Sequence, residues 1–100
     1  MSVTVEIVPA AQLMLEAADE RWIDEHGFDA DNPLFDQIKH ASDLLRANPE
    51  IGKIVRRGRS MIHRLLLPSG WHLYYRFLAD RELVEILAVW YASCGDEPPL

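Results

Sequence analysis

Residues 61–91 alternate between apolar and other side chains, and this pattern constrains the fold more than any other feature of the sequence. The tripeptide PSG at 68–70 is typical of a short hairpin loop, and pairing Leu67 with Trp71 sorts the flanking side chains into two sets. One set is predicted to face the core: Met61, His63, Leu65, Leu67, Trp71, Leu73, Tyr75 and Phe77. The other is mixed and is predicted to lie on the face that no helix covers, which we call the open face: Ile62, Arg64, Leu66, His72, Tyr74 and Arg76.

A second hairpin is predicted to turn through residues 79–82 and to bury the same face of residues 71–78. Its predicted pairs are Phe77–Val84, Arg76–Glu85 and Tyr75–Ile86. Continued without interruption, this register puts Ala88 and Trp90 on the core face and three residues on the open face: Leu87, Val89 and Tyr91. Because two independent registers agree on the buried face, the segment is predicted to be a three-stranded antiparallel meander.

The first half of the chain predicts one strand and two helices. VTVEIV at 3–8 alternates as a half-buried strand does, and Pro9 suits the first turn of a helix that stops at Gly27. A second helix is predicted from the Asn32 cap to Asn48. The apolar stripes of the two helices are Ala11, Leu15, Ala18 and Trp22, then Leu34, Ile38, Ala41 and Leu45. The sequence therefore predicts one α+β domain over residues 1–100, in which an N-terminal strand and two antiparallel helices precede the meander and the helices pack on one face of the sheet.

Composition narrows the class of protein. The N-terminus does not resemble a secretory signal, no stretch is apolar enough to span a membrane, and a single cysteine, Cys94, favours a cytoplasmic location. His26 and His40 have no neighbours at metal-ligand spacing, so no metal or other cofactor is expected. The net charge of −6 argues against non-specific nucleic-acid binding, and no direct sequence-specific binding is expected either, yet residues 49–81 hold seven of the ten Lys and Arg residues.

Three segments in order resemble a known family: NPEIGK at 48–53, HRLLLPSGWHLYYRF at 63–77 and VEILAVWYASCGDEPPL at 84–100. Together with the opening strand and the Pro9 helix, they resemble the toxins of the RelE/ParE superfamily from bacterial type II toxin–antitoxin systems, and the ParE-like branch most closely. This resemblance implies a plasmid-stabilization or growth-inhibition role, a cognate antitoxin that neutralises the toxin, and DNA gyrase as the target contacted by the protein.

The resemblance leaves a second activity open, which is ribosome-dependent mRNA cleavage without a metal, as in RelE-type members. Such cleavage needs a base, a cation for the phosphorane and an acid for the leaving oxygen. The candidate catalytic residues are Lys53, Arg64, Arg76 and Tyr91. Tyr91 stands where the family pattern has His and Cys94 where it has Arg, so an inactive toxin-fold binding module is a third reading. Arg76 also has a structural interpretation, as the partner of Glu85 in a cross-strand ion pair.

The basic and apolar residues of the predicted open face also suit partner binding. An acidic, leucine-bearing antitoxin tail would complement them by charge and by apolar contact. The candidate partner-binding residues are Arg56, Arg57, Arg59, Leu66, His72, Tyr74, Leu87 and Val89.

Overall fold

The computed structural model describes residues 3–58, 61–91, 98 and 100. Its elements follow in the order β1 (Thr4–Ile7), α1 (Pro9–His26), α2 (Pro33–Ala47), β2 (Lys53–Arg56), β3 (Ile62–Leu66), β4 (Trp71–Leu78), a 3-10 turn (Ala79–Arg81) and β5 (Leu83–Tyr91). The predicted α+β class is confirmed: a strand and two helices precede antiparallel strands, and the helices lie against one face of the sheet. No helix of the described ranges is long and apolar enough to cross a membrane.

The five strands form one sheet in the order β1-β5-β4-β3-β2. β1 runs parallel to β5, which is possible because the two helices supply the long crossover that a parallel pair requires. The remaining neighbours are antiparallel. β2 is an additional edge strand that the sequence did not predict as a strand, and its pairing with β3 is irregular between Ile54 and Arg56.

Local sequence signals begin and end the helices where the sequence predicts. Pro9 occupies the first turn of α1, and Gly27 follows the helix with a φ of 85°, a backbone conformation that costs glycine little. Asn32 caps α2, because its side-chain oxygen accepts a hydrogen bond from the Leu34 backbone N–H at 3.0 Å.

The helix-facing side of the sheet holds the main core. Leu73, Tyr75, Val84 and Ile86 are fully buried there, against the apolar stripe of both helices. Each such side chain contributes roughly 1.5–3 kcal/mol relative to exposure. The predicted β3–β4 register is confirmed, and with it the core-facing side of β4. Met61 is an exception: it precedes β3 and is 49% exposed, so its predicted core position is wrong.

A β-bulge in β5 overturns part of the second predicted register. Tyr75 pairs with Ile86 as predicted, but Tyr74 pairs with Ala88, so Leu87 is an extra residue. One extra residue reverses which face every later side chain occupies. Four predictions are therefore wrong. Ala88 and Trp90 lie on the open face, Val89 is 2% exposed in the main core, and Tyr91 pairs with Trp71 on the helix side.

Candidate functional site

The open face is organised as three rows of side chains that cross the sheet. The rows are Lys53–Arg64–Tyr74–Ala88, Arg56–Ile62–Arg76–Glu85 and Leu66–His72–Trp90. Directly opposed residues have Cβ atoms about 4.5–5.5 Å apart, so each row brings its members into contact range. The first row thus places two cations, from β2 and β3, side by side.

Arg76 is engaged by a carboxylate. Its Nε donates to Glu85 Oε1 at 2.6 Å, and its Nη2 lies 2.6 Å from the same oxygen. The predicted cross-strand ion pair is confirmed. The Glu85 side chain is only 17% exposed, so its carboxylate neutralises much of the Arg76 guanidinium charge and leaves less of that charge to bind a phosphate.

Arg64 differs from Arg76, because no carboxylate pairs with it within the described part of the chain. His72 lies near it on the open face. Burial lowers the pKa of His72 below its ordinary value, and the positive charge of Arg64 lowers it further. The His72 ring also meets the Tyr74 ring edge-on at 6.2 Å between centroids. A neutral imidazole beside a free cation is therefore favoured at neutral pH.

Tyr91 is separated from these groups by the bulge. Its ring centroid lies 5.2 Å from that of Trp71, and both rings line a cleft of about 340 Å³ beside the second half of α1. Of the four candidate catalytic residues, the structure brings Lys53 and Arg64 together and ties Arg76 to Glu85. It places Tyr91 on the opposite side of the sheet.

The candidate partner-binding residues divide into accessible and inaccessible groups. Arg56, Arg57 and Leu66 are exposed, Leu66 by 64%. His72 and Leu87 are half-buried, whereas Tyr74 is 4% exposed although its strand position on the open face is as predicted. Val89 belongs to the main core, as its altered register requires. Arg59 and Cys94 lie outside the described residues.

A second apolar cluster on the open face was not predicted. Ile62, Tyr74 and Ala88 are buried there. The residues packed against them are Met14, Val55, Leu87 and Trp90. The alternation of side chains along the strands shows only that these residues share a face, and it carries no signal for what covers them.

The loop before β2 is held by two buried aromatic residues. The Gly52 N–H donates to Tyr75 Oη at 2.8 Å, and His63 Nδ1–H donates to the Gly52 carbonyl at 3.1 Å. The rings of His63 and Tyr75 stack at 5.0 Å between centroids. His63 is thus a hydrogen-bonded core histidine, as its place on the apolar face predicts. In the described ranges no cluster of three His, Cys, Asp or Glu residues is arranged to hold a metal ion.

Comparison with known proteins gives a likeness of fold. No protein-family model and no curated protein sequence matches this chain. A chain in the crystal structure of the archaeal RelE–RelB complex from Pyrococcus horikoshii OT3 matches with a TM-score of 0.61 and 13% sequence identity. The match covers 92% of this chain and 97% of that one. This chain therefore has the fold of a protein from a RelE–RelB complex.

Proposed function

We propose that the chain is the toxin of a type II toxin–antitoxin module, neutralised by a cognate antitoxin and acting by protein contact on DNA gyrase. The observation that carries the toxin assignment is the fold likeness to a chain of a RelE–RelB complex over nearly the whole length of both chains. The order of the resembling segments along the sequence supports it independently.

The arrangement of the open face supports protein contact over cleavage chemistry. Arg76, a candidate for binding the scissile phosphate, is held by Glu85 at 2.6 Å. Tyr91, a candidate proton donor, projects to the helix side with Trp71. A cleavage site needs a base, a cation and an acid around one phosphate, and the four candidate residues do not converge in this way.

The exposed basic and apolar residues of the sheet support antitoxin docking on the same side. Arg56 and Arg57 supply positive charge, and Leu66 supplies exposed apolar surface at the other end of β3. An acidic segment with leucine side chains would gain from both.

The gyrase assignment is tested with purified chain and purified gyrase in a supercoiling assay. We expect supercoiling to fall as the chain is added, and Arg64→Gln to weaken the effect if the open face makes the contact. The matched control is Arg46→Gln, because it makes the same charge change on the exposed surface of α2. Unaltered supercoiling at large excess of the chain would remove gyrase as the target.

A ribosome-dependent mRNA endonuclease is the second candidate, and it is favoured by the position of His72 within the electrostatic influence of Arg64 on the open face. A neutral imidazole can accept the 2′-hydroxyl proton, and the adjacent guanidinium can stabilise the phosphorane. In this case His72→Gln and Arg64→Gln should each abolish mRNA cleavage on programmed ribosomes, with Arg46→Gln fully active. Retained cleavage in both open-face variants would refute the assignment of this site.

Controlled induction of the chain alone in bacteria separates the classes. Arrest with altered DNA supercoiling supports the gyrase role, and arrest with collapsed translation supports the endonuclease. Undisturbed growth would mean that the chain is a toxin-fold binding module, and the proposed toxin function would then be wrong.

A further inference from the structure

A cleft on the helix side of the sheet combines aromatic rings with charged side chains. It is the cleft of about 340 Å³ beside the second half of α1, and we call it the aromatic cleft. Four rings line it: Trp22 and His26 from α1, Trp71 from β4 and Tyr91 from β5. Because Trp71 and Tyr91 project to the helix side, the sheet separates this cleft from the open face.

The rings of the cleft are held by contacts within the protein. The Trp22 indole Nε1 donates a hydrogen bond to the Ala30 carbonyl at 3.0 Å. The His26 ring stacks on the Trp22 ring, with 3.8 Å between centroids and 16° between planes. The second pair, Trp71 and Tyr91, is in contact at 5.2 Å between centroids. Since the only hydrogen-bond donor of the Trp22 ring is engaged, the ring can offer a ligand its π surface alone.

Two charged side chains also line the cleft. Arg21 and Glu25 are both exposed, and among residues 3–58 and 61–91 no ion pair engages either of them. Arg21 also lines an adjoining cleft of about 280 Å³, whereas Glu25 lines only the aromatic cleft, as do Trp22 and His26. The free carboxylate of Glu25 therefore belongs to the same end of the cleft as the stacked rings.

The chain around this end of the cleft is strongly acidic. Residues 16–31 span the second half of α1 and the turn after it, and they contain seven Asp and Glu residues and a single Lys or Arg, which is Arg21. Their net negative charge gives this side of the protein a potential opposite in sign to that of the basic open face. The cleft therefore attracts cations and repels phosphates and other anions.

Arginine is the cationic side chain that fits this combination best. Its planar guanidinium stacks on aromatic rings and donates two parallel hydrogen bonds to a carboxylate. The stacked rings and Glu25 supply both partners within one cleft. A volume of about 340 Å³ is at the lower end of the range for ligand sites, so the cleft suits a single side chain. A lysine ammonium is a strongly hydrated point charge and would gain less from the rings.

We propose that the aromatic cleft binds an arginine side chain carried by a basic segment of a partner protein. In this arrangement the guanidinium lies against the rings and donates to the Glu25 carboxylate. The site lies apart from the open face, whose charge suits an acidic segment, and the proposal does not rest on the toxin function or its target. The chain can then hold an acidic partner on one side of its sheet and a basic partner on the other.

NMR titration of the isotope-labelled chain with a short peptide tests the proposal. The probe is acetyl-Arg-Gly-Arg-Gly-Arg-amide at physiological ionic strength, where distant surface charges are screened. The reference peptide carries citrulline in place of each arginine, which keeps the shape and removes the charge. We expect saturable shifts of the Trp22 and Trp71 indole signals with the arginine peptide and none with the citrulline peptide. Equal shifts with both peptides, no saturable shift at millimolar peptide, or shifts confined to the open face would overturn the proposal.

A matched pair of substitutions tests the role of the carboxylate. Glu25→Gln removes the charge that the guanidinium meets, so the affinity for the arginine peptide should fall about tenfold. Glu20→Gln makes the same charge change at an exposed position of α1 outside the cleft, and its affinity should stay within about twofold of the parent chain. Both positions are exposed, so neither change should disturb the fold. Equal affinities of the two variants would show that Glu25 does not bind the guanidinium, and the proposal would be wrong.

Tyr91→Leu tests the contribution of the rings. Tyr91 is 40% exposed, and leucine keeps an apolar side chain there but has no π surface. The affinity for the arginine peptide should therefore fall about two- to fivefold. Circular dichroism of the variant confirms that it is folded. Unchanged affinity in the folded variant would refute the contact between the guanidinium and the rings.

Discussion

Replacing Gly52 with alanine tests the packing of the loop that precedes β2. A Cβ atom at this position would lie 2.8 Å from Tyr75 Oη, 2.9 Å from Tyr75 Cε1 and 3.0 Å from the Arg64 carbonyl oxygen. Tyr75 is fully buried, and the Arg64 oxygen belongs to the backbone of β3, so neither neighbour can move away freely. The added methyl group must therefore displace the loop or the ring.

The expected cost follows from three contributions. Overpacking of a tight site costs typically about 1–3 kcal/mol. Displacement also weakens the hydrogen bonds that Gly52 makes with Tyr75 and His63, each worth about 1 kcal/mol. Gly52 does not have a positive φ, so alanine regains up to about 1 kcal/mol through the unfolded chain. The free energy of unfolding should fall by about 2 kcal/mol in sum, which corresponds to a Tm lower by roughly 8–16 °C.

Gly58→Ala is the matched control, because a Cβ atom there has no neighbour within 4 Å and its φ is not positive. Its stability should equal or slightly exceed that of the parent chain. Both variants are compared by urea unfolding and by thermal melting, each followed by circular dichroism. Equal stability of Gly52→Ala and Gly58→Ala would refute the inferred clamp of Tyr75 on Gly52.

Three further predictions concern titration and register. Burial raises the pKa of Tyr75, against an opposing backbone hydrogen bond and with a further rise from Glu50, so the unfolded chain loses this proton first. The free energy of unfolding should therefore decline as pH rises above 10, and Tyr75→Phe should remove that component in urea titrations at successive pH values. The lowered pKa of His72 means that its imidazole binds a proton more readily in the unfolded chain than in the folded one. The free energy of unfolding should therefore rise as pH increases toward 6.5 and level off above it, and in an NMR titration Arg64→Gln should raise the pKa of His72 part of the way back to its ordinary value. Val89→Thr should cost about 1–3 kcal/mol in urea unfolding because it buries a hydroxyl group, and a neutral result would restore the uninterrupted β5 register.

The sequence predicted the β3–β4 hairpin because polar markers alternate with apolar residues along both strands. Arg64, His72 and Arg76 mark the open face at regular intervals, so only one register satisfies them. Residues 86–90 of β5 read Ile-Leu-Ala-Val-Trp and contain no polar marker. The bulge at Leu87 therefore leaves no trace in the pattern.

The candidate site was predicted where it depended on pairing and missed where it depended on the bulge. The ion pair of Arg76 with Glu85 lies before the bulge, so the uninterrupted register located it correctly. Tyr91 lies after the bulge and was assigned to the wrong face. The burial of Tyr74 depends on which residues pack over the open face, and the alternation of side chains along a strand does not indicate which distant residues do so.

The parallel pairing of β1 with β5 has a consequence for the order of folding. Thr4–Ile7 must find Leu83–Ile86, so nearly the whole chain separates the two partners. Closing so long a loop carries a large entropic cost before any contact is gained, whereas the β3–β4 and β4–β5 hairpins close over short loops. The hairpins are thus the natural nucleus, and β1 docks last on a sheet already formed. Substitutions in β1 should then accelerate unfolding while leaving the folding rate nearly unchanged, and a chain emerging from the ribosome cannot complete its sheet until β5 has been synthesised.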